Sequence, residues 1–171
     1  CGHSMGGHGA LTLALKHPGR WRSLSAWAPI AAPTRVPWGQ KALPRYLGDD
    51  PAAWAAHDAC ALLDAGHRFD GTILVDQGEA DRFLAEQLRP DLLESACART
   101  GQPLRLRRHA GYDHSYWFIQ SVVDDHLRHH AEALAATITS ERGMVHADAL
   151  GEVQRGLEVV EFAVGIPHLL K

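Results

Sequence analysis

Cys1-Gly2-His3-Ser4-Met5-Gly6-Gly7-His8-Gly9-Ala10-Leu11 opens the chain and decides how the rest is read. Inside it, Gly2-His3-Ser4-Met5-Gly6 has the form G-x-S-x-G. That pattern suits a serine on a sharp strand-to-helix turn, where the hydroxyl is exposed and flanking side chains would clash. The strand leading into the turn is expected to lie outside this chain. The next run, Gly6–Lys16, predicts a helix, with Leu11, Leu13 and Leu15 as apolar bulk, and Pro18-Gly19 ends it. A helix starting there directs free backbone N–H groups at the serine, the arrangement that stabilises an oxyanion, and the Met5 N–H is the first of them.

Outward from this turn, helical and strand patterns alternate. Ser23–Ala28 predicts a short buried strand, and residues 29–51 an irregular excursion rich in Pro, Gly and Trp. Short helices are expected over Asp50–His57 and Ala59–Ala65. Thr72–Val75 predicts a compact strand followed by a polar loop, Asp76–Asp81. Phe83–Thr100 predicts one helix carrying Leu84, Leu88, Leu92 and Leu93 on a face, and Leu104–Arg107 alternates like a strand. After a loop, His109–His114, the segment Tyr116–Leu134 carries Phe118, Ile119, Val122, Val123, Leu127 and Leu134 at helical spacing. The fold class is therefore α/β, a parallel sheet flanked by helices. Only three strands are visible, fewer than such sheets usually hold.

The serine has candidate partners in the chain order Ser, acid, His that goes with this turn. Asp76, Glu79 and Asp81 follow the Thr72–Val75 strand, and His114, in Gly111-Tyr112-Asp113-His114-Ser115, follows the Leu104–Arg107 strand. His114 would take the Ser4 proton, and one of the three acids would orient its imidazole. Spacing leaves the acid open; Asp81, just before a helix, also suits a helix N-cap. His109 competes with His114 but lacks the glycine-turn context.

Composition excludes several classes. At 171 residues the chain has room for one domain, and 46% hydrophobic with 22% charged residues is an ordinary globular mix. No apolar run approaches the ~20 residues of a membrane span. The net charge of −3 offers nothing to nucleic acid, and the trio Arg105, Arg107 and Arg108 is expected to be exposed. Cys1, Cys60 and Cys97 spell neither a disulfide framework nor a metal or redox motif, which fits a reducing, cytoplasmic setting. Asp125, His126, His129 and His130 share one helix without a third ligand set, so a solvated face is expected and no metal.

The long motifs GHSMGGHGAL and GYDHSY, with PWGQKAL, YLGDD, ILVDQGEADRFL and DHLRHHAEAL, closely resemble S-formylglutathione hydrolases (esterase D). The likeness runs from about Cys1 to about Leu134 and covers the C-terminal half of that family. It implies an α/β-hydrolase domain over 1–134 with Ser4 as nucleophile, Asp81 as acid and His114 as base; the resemblance selects Asp81 over its neighbours. It also implies hydrolysis of the thioester S-formylglutathione to glutathione and formate, in formaldehyde detoxification, with no cofactor. The partner would be a small-molecule thioester, with a homodimer as the one protein partnership to consider. A general carboxylesterase with the same triad, or an inactive truncated or chimeric product, are the alternatives. The family's other half supplies a second oxyanion donor, so little or no activity is expected of the chain alone. Trp38 in PWGQ is expected to pack in the core.

From about Ala135 the likeness ends. GMVHADALGEVQRGLEVVEFAVGIPHLLK is similar to a segment of methylmalonate-semialdehyde dehydrogenase, with Val164 where that family is expected to have Cys. Residues 135–171 thus form a separate, helical tail, and a join near 131–139 is expected. Leu150, Val153, Leu157, Val160 and Val164 make an apolar stripe, with Pro167 beyond the helix.

Overall fold

Four parallel strands carry the architecture of this computed structural model, which describes the backbone of residues 1–169 and the side chains of residues 1–160. In chain order they are β1 (Gly2–His3), β2 (Leu24–Trp27), β3 (Ile73–Gly78) and β4 (Leu104–His109), and they lie side by side in that order. A fourth strand is thus present where three were expected: the end of the strand before the serine turn is Gly2–His3 itself.

The helices are α1 (Met5–Lys16), α2 (Pro37–Leu47), α3 (Pro51–Ala55), α4 (Ala59–Asp64), α5 (Pro90–Thr100), α6 (Tyr116–Arg142) and α7 (His146–Leu169). The expected irregular excursion hides α2 and a 3₁₀ turn, Pro33–Arg35. Pro37, Gly39 and Pro44 mask the helix in the sequence. Pro37, though, sits in the first turn, where a missing N–H costs nothing, and the Gln87 side-chain oxygen accepts from the Trp38 N–H. The single helix expected over Phe83–Thr100 is two pieces. A π-helical turn, Leu84–Leu88, ends at Arg89 in left-handed backbone (φ 46°), and Pro90 restarts the chain as α5.

β3 runs three residues further than its apolar letters, through Asp76, Gln77 and Gly78, all buried. Asp76 is therefore inside the sheet, not in a loop. Arg107, its register partner on β4, makes this tolerable by forking onto both carboxylate oxygens at 2.6 and 2.5 Å. Arg107 is accordingly half-buried, whereas Arg105 and Arg108 are exposed as expected.

The main core joins Leu11 and Leu15 of α1, Leu62 and Leu63 of α4, and Leu93 and Ala96 of α5 to Ile73 and Val75 of β3. Cys60 and Cys97 are free thiols in this core. Burial pushes both thiols up, Cys97 to about 11, so neither ionises near neutrality. A second cluster collects beyond the C-terminal strand ends, where Ala28, Ile30 and Val36 meet Leu88, Phe118 and Val122.

The chain divides into two compact units, Cys1–Asp124 and Asp125–Lys171. In the second, His126 is buried, not solvated, while Leu127, Leu134, Leu157 and Val160 are exposed. α7 continues to Leu169, so Pro167 does not end it; the Val164 comparison falls outside the described side chains. Among the described residues no helix is long and apolar enough to cross a membrane.

Candidate active site

Because all four strands run the same way, their C-terminal ends share one edge of the sheet, and the residues just past each strand collect there. Ser4 follows β1, Ala28 follows β2, Asp81 lies three residues past β3 and His114 follows β4.

Ser4 sits at φ 55°, ψ −115°, backbone that a residue with a side chain adopts only under constraint. Three hydrogen bonds hold it. Its N–H donates to the Trp27 carbonyl (2.9 Å), and its own carbonyl accepts from the N–H groups of His8 (3.0 Å) and Ile30 (3.3 Å). Although it precedes α1, its hydroxyl makes no capping bond, unlike an ordinary helix-start serine. The first motif glycine is needed for contact: a Cβ on Gly2 would lie 2.2 Å from the Gly6 carbonyl oxygen. The expected clash at Gly6 is absent, since a Cβ there would meet nothing within 4 Å.

Asp81 and His114 are brought together by Gly78. A Cβ at Gly78 would stand 2.4 Å from the Tyr112 carbonyl oxygen, so only glycine lets the two loops touch. The Glu79 and Ala80 N–H groups then donate to the His109 and Tyr112 carbonyls, each at 2.9 Å. In that setting His114 Nδ1 lies 2.5 Å from Asp81 Oδ2. The carboxylate also accepts from the Phe83 N–H (2.8 Å) and the Gln77 side-chain amide (3.3 Å). Burial works to raise the Asp81 pKa, but the His114, Phe83 and Gln77 hydrogen bonds outweigh it and hold the carboxyl below its ordinary value. Two more rings fix the imidazole. His3 lies against it with centroids 4.4 Å apart, and Phe83 meets it edge-on at 5.1 Å. The His3 imidazole is pushed down, first by burial and then by His114, so it stays neutral.

Ser4, Met5 and His114 line a cavity of about 500 Å³. Ile30, Pro37, Trp38, Phe83 and Leu88 make its apolar wall, and Gln87 and Lys41 complete it. The cavity size suits a small organic ligand. Trp38, expected in the core, does both jobs: one part packs on the Val36–Phe118 cluster and another faces the cavity. His109 is not beside Ser4; its ring packs on Tyr112 and Phe118, and its Nε2 lies 3.3 Å from Asp76. Sequence reasoning missed Gln77, Gly78, Phe83, Gln87 and Lys41. Only Gly78 had a local cue, a glycine where a strand meets a loop.

A serine turn and a His–Asp pair at the strand ends of a parallel sheet, with the serine and the histidine lining one cavity, define the class. A family model described as "Putative esterase" matches residues 1–130, and the chain belongs to that family of α/β-hydrolase-fold enzymes. Within it the likeness narrows to S-formylglutathione hydrolases. The chain is 52% identical over 133 residues to the S-formylglutathione hydrolase of Arabidopsis thaliana, covering 78% of this chain and 47% of that protein. The structure of an S-formylglutathione hydrolase from Agrobacterium tumefaciens matches with TM-score 0.75 at 55% identity, over 77% of this chain and 47% of that one. Esterase B from Lactobacillus rhamnosis shares the fold alone, with TM-score 0.66 at 14% identity over 82% and 54%. The chain spans about half the length of the S-formylglutathione hydrolases it matches.

Proposed function

We propose that residues 1–134 are a serine thioesterase catalytic domain that cleaves S-formylglutathione to glutathione and formate, a formaldehyde-detoxifying reaction in the cytoplasm, and that 135–171 is a separate helical tail. The observation that carries this reading is the Asp81–His114 pair in the wall of the cavity that Ser4 also lines. With Nδ1 engaged by Asp81, Nε2 is the nitrogen left for proton transfer. Ser4 Oγ attacks the formyl carbon and gives its proton to His114. The tetrahedral oxyanion is met by the Met5 N–H. Its collapse breaks the C–S bond; the glutathione sulfur leaves with the proton from His114, and formate remains esterified to Ser4. Water, deprotonated by His114, attacks that ester, and formic acid departs as Ser4 recovers its proton.

A thiol with a pKa near 8.5 leaves readily, so forming the nucleophile is the harder step, and the strained, uncapped Ser4 suits it. Only one oxyanion donor, Met5, is assigned within this chain. A missing donor typically costs ~10²–10³ in rate, so turnover by the chain alone is expected to be weak.

The test is a fluorophosphonate probe on the purified chain, read by mass spectrometry, with turnover of S-formylglutathione and p-nitrophenyl acetate alongside. Labelling at Ser4, lost in S4A and H114A, is expected. A chain that stays unlabelled, or is labelled elsewhere, ends the proposal. Turnover of the acetate with none of the thioester would point to a general carboxylesterase.

A further inference from the structure

His3 ends β1, one residue before the serine turn, and its ring lies on the His114 imidazole with centroids 4.4 Å apart and planes tilted by 38°. The two rings have different surroundings. His114 Nδ1 has the Asp81 carboxylate as its acceptor at 2.5 Å. His3 Nε2 is buried and has no hydrogen-bond partner among the described residues. The charges felt at His3 are those of His114, which opposes a positive charge there, and of Asp81, which favours one. Tyr116, at the start of α6, brings its ring centroid to 6.1 Å, and the Cys1 amino group lies two residues back along the chain. The neighbours on β2 and α1 carry no charge: Trp27 is the register partner, and Met5, Gly6 and Gly7 make the first turn of the helix.

We propose that His3 is a positioning residue that makes the His3–His114 pair a one-proton site: its uncharged ring walls in the His114 imidazole and takes no proton while His114 holds one. This rests on reading Ser4 and His114 as the acyl-transfer groups. An imidazolium donates from both ring nitrogens. At His114, Nδ1–H meets Asp81 and Nε2–H is left for the reacting atoms. At His3, Nε2–H would be buried without an acceptor, which costs a full unmade hydrogen bond. Two imidazolium rings at this separation also repel, so the second proton binds more weakly than the first and the pair titrates as a unit. The proton that Ser4 gives up therefore stays on His114. His3 does not line the cavity, so it acts only through that ring.

The test titrates the full chain, with isotope-labelled histidine, by NMR; the two rings are identified by the signals lost in H3F and H114Q. In wild type His114 is expected to take its proton first, with His3 following about one pH unit lower or more. In H114Q the His3 midpoint should rise by about half a unit or more. Fluorophosphonate labelling at Ser4 is the second readout. H3A, checked by circular dichroism, should label more slowly than wild type, on the order of tenfold. H3F, which keeps a flat uncharged ring, should recover most of that loss. Protonation of both rings together, a His3 midpoint unmoved in H114Q, wild-type labelling in H3A, or labelling in H3F no faster than in H3A would overturn the proposal. Titrations as stated in a chain whose Ser4 is never labelled would sink the esterase reading and leave the one-proton pair standing. Ser4 labelling with two independent titrations would do the reverse.

Discussion

Asp81 is depressed in pKa although it is buried, which means that its ionised form is the one the fold is built around. His114 Nδ1, the Phe83 N–H and the Gln77 amide all point at that charge. D81N keeps the shape but puts an amide where the acceptor for Nδ1–H stood, favouring the wrong imidazole tautomer. In serine triads that exchange costs about 10⁴ in rate. The fluorophosphonate labelling rate at Ser4 should therefore fall by a similar factor in D81N, with the fold retained by circular dichroism. Labelling at the wild-type rate would show that Asp81 does not serve His114. D76N makes the contrast. It weakens the fork to Arg107 inside the sheet and should lower stability, because the half-buried Arg107 guanidinium loses its counter-charge.

At the level of elements, the serine turn depends on how closely β1 and α1 approach. Gly2 and Gly6 look equivalent in the motif but are not. Adding a methyl at Gly2 drives it onto the Gly6 backbone, whereas the same methyl at Gly6 enters open space within a helix. G2A is expected to destabilise by about 1–3 kcal/mol or more, through forced backbone movement. G6A should be neutral or stabilise by about 0.5 kcal/mol, by restricting the unfolded chain. Urea midpoints of the two variants measure this directly, and a G6A loss as large as that of G2A would contradict the geometry. The same scale explains α2. Two prolines and a glycine hide it from periodicity, yet it forms because Val36 and Leu43 bury their side chains and Gln87 satisfies its open N-terminus.

For the whole molecule, three buried or hydrogen-bonded groups give acid sensitivity of one sign. Burial is the leading cause that pushes His3 and His8 below their ordinary 6.5, so the unfolded chain binds protons there before the folded one does. Their contribution to stability is complete above pH 6.5 and shrinks as pH falls towards their folded values. Asp81 adds a second loss. Its contribution is complete above about 3.9 and disappears as pH falls through its lowered folded value. The urea midpoint should thus hold from pH 7.5 to about pH 6.5 and decline from there to pH 5; a profile that stays flat or rises below pH 6.5 would refute the assignment. The connector between α6 and α7 makes a separate prediction. Arg142, Gly143 and Val145 are exposed there, and Gly143 takes left-handed backbone (φ 68°). Brief trypsin treatment should therefore cut first after Arg142, and mass spectrometry would detect the fragment 1–142. Persistence of the intact chain while sites in the sheet are cut would count against a separate tail.

The serine turn, the parallel α/β class and the placing of His114 after a late strand were legible in the sequence alone. Each rests on neighbours a few residues apart: glycines flanking Ser4, apolar alternation in Leu104–Arg107, a glycine turn before His114. Which carboxylate serves His114 was not legible from spacing, because Asp76 and Asp81 occupy one segment and differ only in what the distant chain brings to them. Arg107, 31 residues on, claims the first and seals it inside the sheet. The loop that Gly78 admits delivers His114 to the second. Likewise Lys41 and Phe83 share no motif and line one cavity only because α2 and the loop after β3 are folded onto the same strand ends. Local backbone geometry is written in short spacings, whereas the pairing of charges depends on distances that only a packed chain defines.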